Sequence, residues 1–148
     1  MTQTFAEILL LIPAALGTGF LIFIAGTLQG VMNDMDEATF HRFLMMLDKH
    51  ALKSPYAIAA STLTFVGMIP YWYFYGFTNW WFTAGLILFT IASIISKKFN
   101  LPIYKRIFAL KSSDRAQLRD ERHKLQKANL LRASIQFVSL VLMIIGLA

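Results

Sequence analysis

The sequence contains no cysteine. Disulfides, thiolate nucleophiles and cysteine-ligated metal sites are thereby excluded. Charge is also scarce: Asp, Glu, Lys and Arg make up 15% of the chain, against about 25% in soluble domains. Residues 1–7 hold no Lys or Arg. The first apolar run therefore lacks the positive leader of a cleaved signal peptide and reads as a retained membrane helix. Apolar bulk takes the place of charge. Of 148 residues, 57% are hydrophobic, and mean hydropathy is +0.56. The length suits one domain, and the composition suits lipid as its solvent.

A membrane helix needs roughly 17–25 mainly apolar residues, because each rises ~1.5 Å through a core ~30 Å thick. Four segments meet this requirement: 8–32, 54–75, 80–96 and 130–148. The first three are uncharged. The fourth holds only Arg132, one turn inside its start, where a long side chain can snorkel to the interface. The expected fold class is all-α: an integral membrane four-helix bundle forming a single domain.

The connections are unequal. Segments 33–53 and 97–129 are long, whereas 76–79 is a tight uncharged hairpin. Apart from Arg132, every Lys and Arg falls in the two long segments, and alternating spans bring all of these to one side. The positive-inside rule then places both long segments in the cytoplasm and both termini outside, in the inner membrane of a bacterium. The formal charge of +6 is thus explained by topology and by attraction to membrane lipid. Nucleic acid is not an expected partner, since the basic stretch has little aromatic interleaving and no recognised fold.

Segment 71–82 reads YWYFYGFTNWWF, nine aromatics in twelve positions. Amphipathic rings collect at headgroup level, so the cluster reads as an outer aromatic belt in preference to a ring-binding platform. Ala15, Gly19, Gly26 and Gly30 form a small-residue stripe on the first span. Such stripes mark close helix contacts. Packing within the chain is the first reading, and a homo-oligomer through Gly26 and Gly30 is its rival. Pro13 and Pro70 are kink points.

After the first span, Asp34 and Glu37 make a capping-box pattern. Phe40, Phe43, Leu44, Leu47 and Ala51 then recur at helical spacing up to Pro55. This describes a cytoplasmic amphipathic helix whose polar face, Glu37, His41, Asp48 and Lys49, reads as solvated. Glu37 and His41 are suitable metal ligands, but two are too few for a site, and no metal is expected. After the third span, Pro102 reads as a helix breaker. Asp114 and Gln117 form a second capping box, and a long helix leads into the fourth span.

On that long helix Leu118, Arg122, Leu125, Asn129 and Arg132 share one stripe. The leucines turn the stripe toward protein, so Asn129 and Arg132 should point inward at the membrane boundary, where polar groups are costly unless paired. Asn33, Asp34 and Asp36 end the first span at the same depth. Arg132 bound to Asp34 or Asp36 is a structural clasp. The same residues around a cavity are a site.

At these residues the chain resembles the anthrone oxygenase-like family of small four-helix membrane proteins. The resemblance rests on a glycine-containing first span followed by a short helix ending near a proline, here Gly26 to Pro55. It rests also on N-x-P after the third span, Asn100-Leu101-Pro102 leading into Tyr104, and on N-x-x-R opening the last span, Asn129 to Arg132. The chain departs from the pattern at Tyr104, where many members have Asn, and at Leu125 and Ala128, where many have Trp. The resemblance implies oxidation of a hydrophobic polycyclic phenol by O2 with no cofactor. It would make Arg132 the anion stabiliser, Asn129 a hydrogen-bond donor and Asp36 or His41 the base. Asn33, Asp34, Asn100 and Tyr104 would then contact the aromatic ligand. The competing reading is a non-catalytic membrane protein, either a partner subunit or a binder of lipid or another hydrophobic molecule.

Overall fold

Hydroxyl and amide side chains set the helix starts. Thr2, Ser54 and Asn79 each accept a hydrogen bond from the backbone N–H three residues on, at 3.4, 3.3 and 3.2 Å. Each thereby satisfies one of the N–H groups a helix leaves unpaired at its first turn. The computed structural model describes residues 1–51 and 53–148, and the described residues form five helices with no strand. These are α1 (Gln3–Asp34), α2 (Glu37–Ala51), α3 (Pro55–Tyr75), α4 (Trp80–Ala109) and α5 (Arg115–Ile145). All but α2 are long and apolar enough to cross a membrane. Gly76 ends α3 at φ 59°, a conformation that favours glycine, and its N–H bonds the Trp72 carbonyl.

α5 lies along α4 and also against α1, and α1 packs on α3. The α4–α5 approach is close because Gly85 has no side chain. A Cβ there would stand 2.5 Å from Met143 Cγ and 2.8 Å from the Ser139 carbonyl. Ser139 Oγ donates to the Gly85 carbonyl at 2.7 Å. Small residues thus allow the backbone proximity that holds helices together in lipid. In the first span Gly17 plays this part, a Cβ there standing 3.1 Å from the Ala60 carbonyl, but the glycines of the stripe do not. Gly19, Gly26 and Gly30 are exposed, with nothing within 4 Å of where a Cβ would stand. Periodicity placed them on one face, but that face turns away from the other helices.

Two apolar clusters form the interior. One joins Leu10, Met68, Tyr71, Phe82, Leu86 and Met143 at the end of the aromatic hairpin. The other joins Met32, Phe40, Leu44, Ile107, Leu118 and Leu125 at the end that carries the basic connections. Outward surfaces are apolar as well: Leu16, Val66, Ile69 and Leu130 are 60–73% exposed, and exposed apolar surface of this kind marks contact with a partner or a membrane. The aromatic segment divides its roles. Tyr71 and Phe82 are core, whereas Tyr73, Phe74, Phe77, Trp80 and Trp81 are exposed.

Several boundaries differ from the sequence reading. Pro102 does not break the third span. α4 continues to Ala109 through a π-helical turn, Ser96–Asn100, placed just before the proline. A wider turn relieves the clash and the missing donor that proline imposes on a regular helix. α1 holds a matching π-helical turn, Ile24–Leu28. It extends to Asp34, so Asp34 is not the cap of α2. Asp36 is: its Oδ1 accepts from the N–H groups of Ala38 and Thr39, both at 3.0 Å. Asp114 precedes α5, but its Oδ2 accepts from the Lys111 N–H instead of capping the helix. On α2, Glu37 and His41 are buried, not solvated.

Candidate functional site

Of the stripe on α5, Leu118, Arg122, Leu125 and Asn129 are buried and Arg132 is half-buried. A clasp between α5 and the end of α1 exists, but Arg122 makes it. Its Nη1 donates to the carbonyls of Met32 and Met35 at 2.9 and 2.8 Å, and its Nη2 to Glu37 Oε1 at 3.3 Å. The guanidinium also lies 5.2 Å from the centre of the Phe40 ring. Cations are favoured at helix C-termini, where carbonyls go unpaired. Arg119 adds a second, exposed contact to Glu37 at 3.0 Å. Hydrogen bonding by its own backbone N–H, then by Arg119, holds the Glu37 carboxyl below its usual range. The Asp36 carboxyl is lowered too, chiefly by its bonds to the Thr39 hydroxyl and N–H.

Deeper along α5, five carboxamides run in one direction. Asn100 donates to Asn129 at 2.8 Å, Asn129 to Gln29 at 3.3 Å, Gln29 to Asn33 at 3.1 Å and Asn33 to Gln126 at 3.3 Å. Each amide presents both a donor and an acceptor, so such a chain can satisfy buried polar groups without charge, and its members polarise one another. The π-helical turns position two of the links. One extra residue per turn rotates the next part of the helix by roughly 100°, so Ile24 and Gln29, five apart, are both buried. Asn100 closes the turn in α4.

The chain of amides leaves an open acceptor at its buried head: Asn100 is 2% exposed, and its Oδ1 has no partner among the described residues. Arg132 has no carboxylate partner among the described residues. Its Nη1 donates to Ser96 Oγ at 2.8 Å, and its buried Nε bonds to nothing. Ser96 and Asn100 are the two ends of one π-helical turn, so both orphaned groups attach to that turn of α4, which forms a polar layer. An acceptor and a cationic donor together complement a molecule with two hydroxyls, one that keeps its proton and donates to Asn100 Oδ1 and one that can ionise against Arg132.

The other sequence-selected residues lie apart from this pair. Asn33 joins the amide chain from the exposed end of α1, and Asp34 is exposed beside it with no ion pair among the described residues. Asp36 spends its carboxylate on the start of α2. His41 faces Ser112, Nδ1 to Oγ 3.4 Å, and its Nε2 is buried without a partner among the described residues. Tyr104 is half-buried, packs tilted against Phe108 with ring centres 5.9 Å apart and lies within electrostatic reach of Arg132. No group of three His, Asp or Glu able to hold a metal occurs among the described residues. A groove of about 410 Å³ runs beside the layer, between α4 and α5, but neither Asn129 nor Arg132 lines it.

The opposite end holds a polar cluster that the sequence reading did not assemble. Glu7, 3% exposed, accepts on Oε1 from Tyr71 Oη at 2.7 Å, Asn79 Nδ2 at 2.9 Å and Gln3 Nε2 at 3.0 Å. Asn79 also donates to the Gly146 carbonyl at 2.7 Å, tying the hairpin to the end of α5. The visible signal was the lone acidic residue on that side of the chain.

Compared with known proteins, the chain matches no family model, no curated protein and no solved structure.

Proposed function

We propose that the chain is a four-helix membrane bundle, basic end in the cytoplasm, that binds a hydrophobic molecule carrying an acidic hydroxyl at the layer of Asn100 and Arg132. The observation that carries this reading is the pair of orphaned groups, Asn100 Oδ1 and Arg132 Nε. A buried acceptor or cation left unpaired is costly, and most so in lipid, so a ligand supplying both partners gains their full strength. A polycyclic phenol has the right chemistry, and it is the class that the resemblance to anthrone oxygenases implies. Binding is favoured over oxidation because neither candidate base is free at the layer. Asp36 is committed to its helix cap, and His41 lies against Ser112.

The test is saturable binding of a hydroxylated anthrone to the purified protein in detergent. Replacing Arg132 with Gln removes one charge-assisted contact of ~1.5–3 kcal/mol, which lowers affinity by about 10–150-fold. No saturable binding to the wild-type protein would overturn the reading. Protein-dependent oxygen uptake with the same probe would convert the binder into an oxygenase.

A second copy is also part of the proposal, because Gly19, Gly26 and Gly30 leave an open face on α1. A dimer in detergent that Gly26→Leu abolishes would support it, and a monomer for the wild-type chain would remove it.

A further inference from the structure

The groove between α4 and α5 has a composition that the amide layer does not explain. It holds about 410 Å³. Its floor is apolar: Phe99, Ile103, Ala128 and Leu131 line it, and Phe99 and Leu131 are each 48% exposed. Its charged lining is entirely cationic, from Lys98, Arg106, Lys124 and Lys127. Two of these charges are already met. Arg106 pairs with Glu121 at 2.8 Å, and Lys124 pairs with Asp120 and Glu121 at 2.6 and 2.9 Å. Lys98 and Lys127 pair with no carboxylate among the described residues. Both are exposed. Lys98 follows the apolar run of α4, and Lys127 precedes that of α5.

We infer that this groove is a binding site for one anionic phospholipid, its phosphate between Lys98 and Lys127 and an acyl chain along Phe99 and Leu131. Two unpaired cations where apolar surface begins match the one arrangement in which a negative headgroup joins directly to hydrocarbon. A zwitterionic lipid brings its own cation to the same place and is disfavoured. A free inorganic anion has no use for the apolar floor. The inference rests on insertion of the four helices in a membrane and is independent of any ligand at Arg132.

The test uses the full chain in detergent with phosphatidylglycerol and phosphatidylcholine in equal amounts, and native mass spectrometry reads the ratio of the two lipids retained. Basic residues near a membrane surface each favour anionic lipid by about fivefold. Lys98→Ala or Lys127→Ala should lower the phosphatidylglycerol preference about fivefold, and the double variant about 25-fold. Both positions are exposed, so the variants should keep the wild-type helical circular dichroism. Lys105→Ala/Lys111→Ala, exposed positions outside the groove, changes net charge equally and should keep the wild-type preference. An equal loss in that control would reduce the effect to general electrostatics and overturn the site. Displacement of phosphatidylglycerol by inorganic phosphate, but not by chloride of equal ionic strength, would assign the lysines to a soluble anion and also overturn it. Retention of phosphatidylcholine reads membrane association separately, so its loss would count against that underlying reading and not against the lysines.

Discussion

Arg119 and Arg122 reach the same carboxylate oxygen of Glu37, yet they should differ sharply when removed. The Arg122 side chain is 8% exposed, and its Nη1 satisfies two backbone carbonyls at the end of α1. Arg122→Ala leaves both carbonyls without a protein partner. Hydrogen bonds to charged groups contribute ~1.5–3 kcal/mol each, and bonds that share one donor group do not add fully. Taking the lower value for each, the loss is about 3 kcal/mol. A chain of this length loses about 2–4 °C of Tm per kcal/mol, so the transition should fall by about 6–12 °C. Arg122→Lys keeps the charge but not the forked geometry and should recover only part of it. The Arg119 side chain is 67% exposed and bonds Glu37 alone. Exposed ion pairs contribute little, so Arg119→Ala should melt close to wild type. The assay is thermal loss of helical circular dichroism in a mild detergent. Equal shifts for the two alanine variants would refute the assignment of the clasp to Arg122.

Gly85→Ala should destabilise the α4–α5 contact by about 1–3 kcal/mol through overpacking, whereas Gly26→Ala, with open space around it, should be neutral or stabilising. The same melting assay compares them. A double-mutant cycle on Asn100→Ala and Asn129→Ala should give a coupling of about 0.6–1.7 kcal/mol, the range for hydrogen bonds between helices in membranes, and no coupling would break the amide chain at its head. Acid should also weaken the α2 junction. Unfolded Glu37 takes up its proton near 4.5, and folded Glu37 takes it up only below that value. Its contribution is therefore complete above that range and is lost as pH falls through the lowered folded value. Tm measured against pH should show this acid limb, and Glu37→Gln should flatten it.

Helix number and the starts of the second and third spans could be read from charge-free length. The errors arise where a local pattern has two registers or where a partner is remote. Asp34 and Asp36 both precede α2, and only the continuation of α1 to Asp34 decides that Asp36 caps. Pro102 is a breaker in a regular helix, and the π-helical turn that accommodates it has no sequence signature. Arg122 and Arg132 share a stripe, but which one meets the end of α1 depends on how far α5 slides along it. Asn129 turns inward as its stripe predicts, while its partners Gln29 and Asn100 lie 100 and 29 residues away. Glu7 is the one acid before Asp34, yet Tyr71 and Asn79 reach it from 64 and 72 residues on. The glycine stripe shows the limit of periodicity, which defines a face but not what that face meets.

The central claim is that Arg132 serves as counter-ion for an acidic hydroxyl within the polar layer. The absorbance spectrum of a bound hydroxylated anthrone tests it most directly, at a pH where the free probe is protonated. Wild-type protein should show the red-shifted band of the ionised probe, and Arg132→Gln should bind it weakly with the band of the neutral form. A neutral spectrum on the wild-type protein, or an unchanged ionised band after Arg132→Gln, would contradict the account.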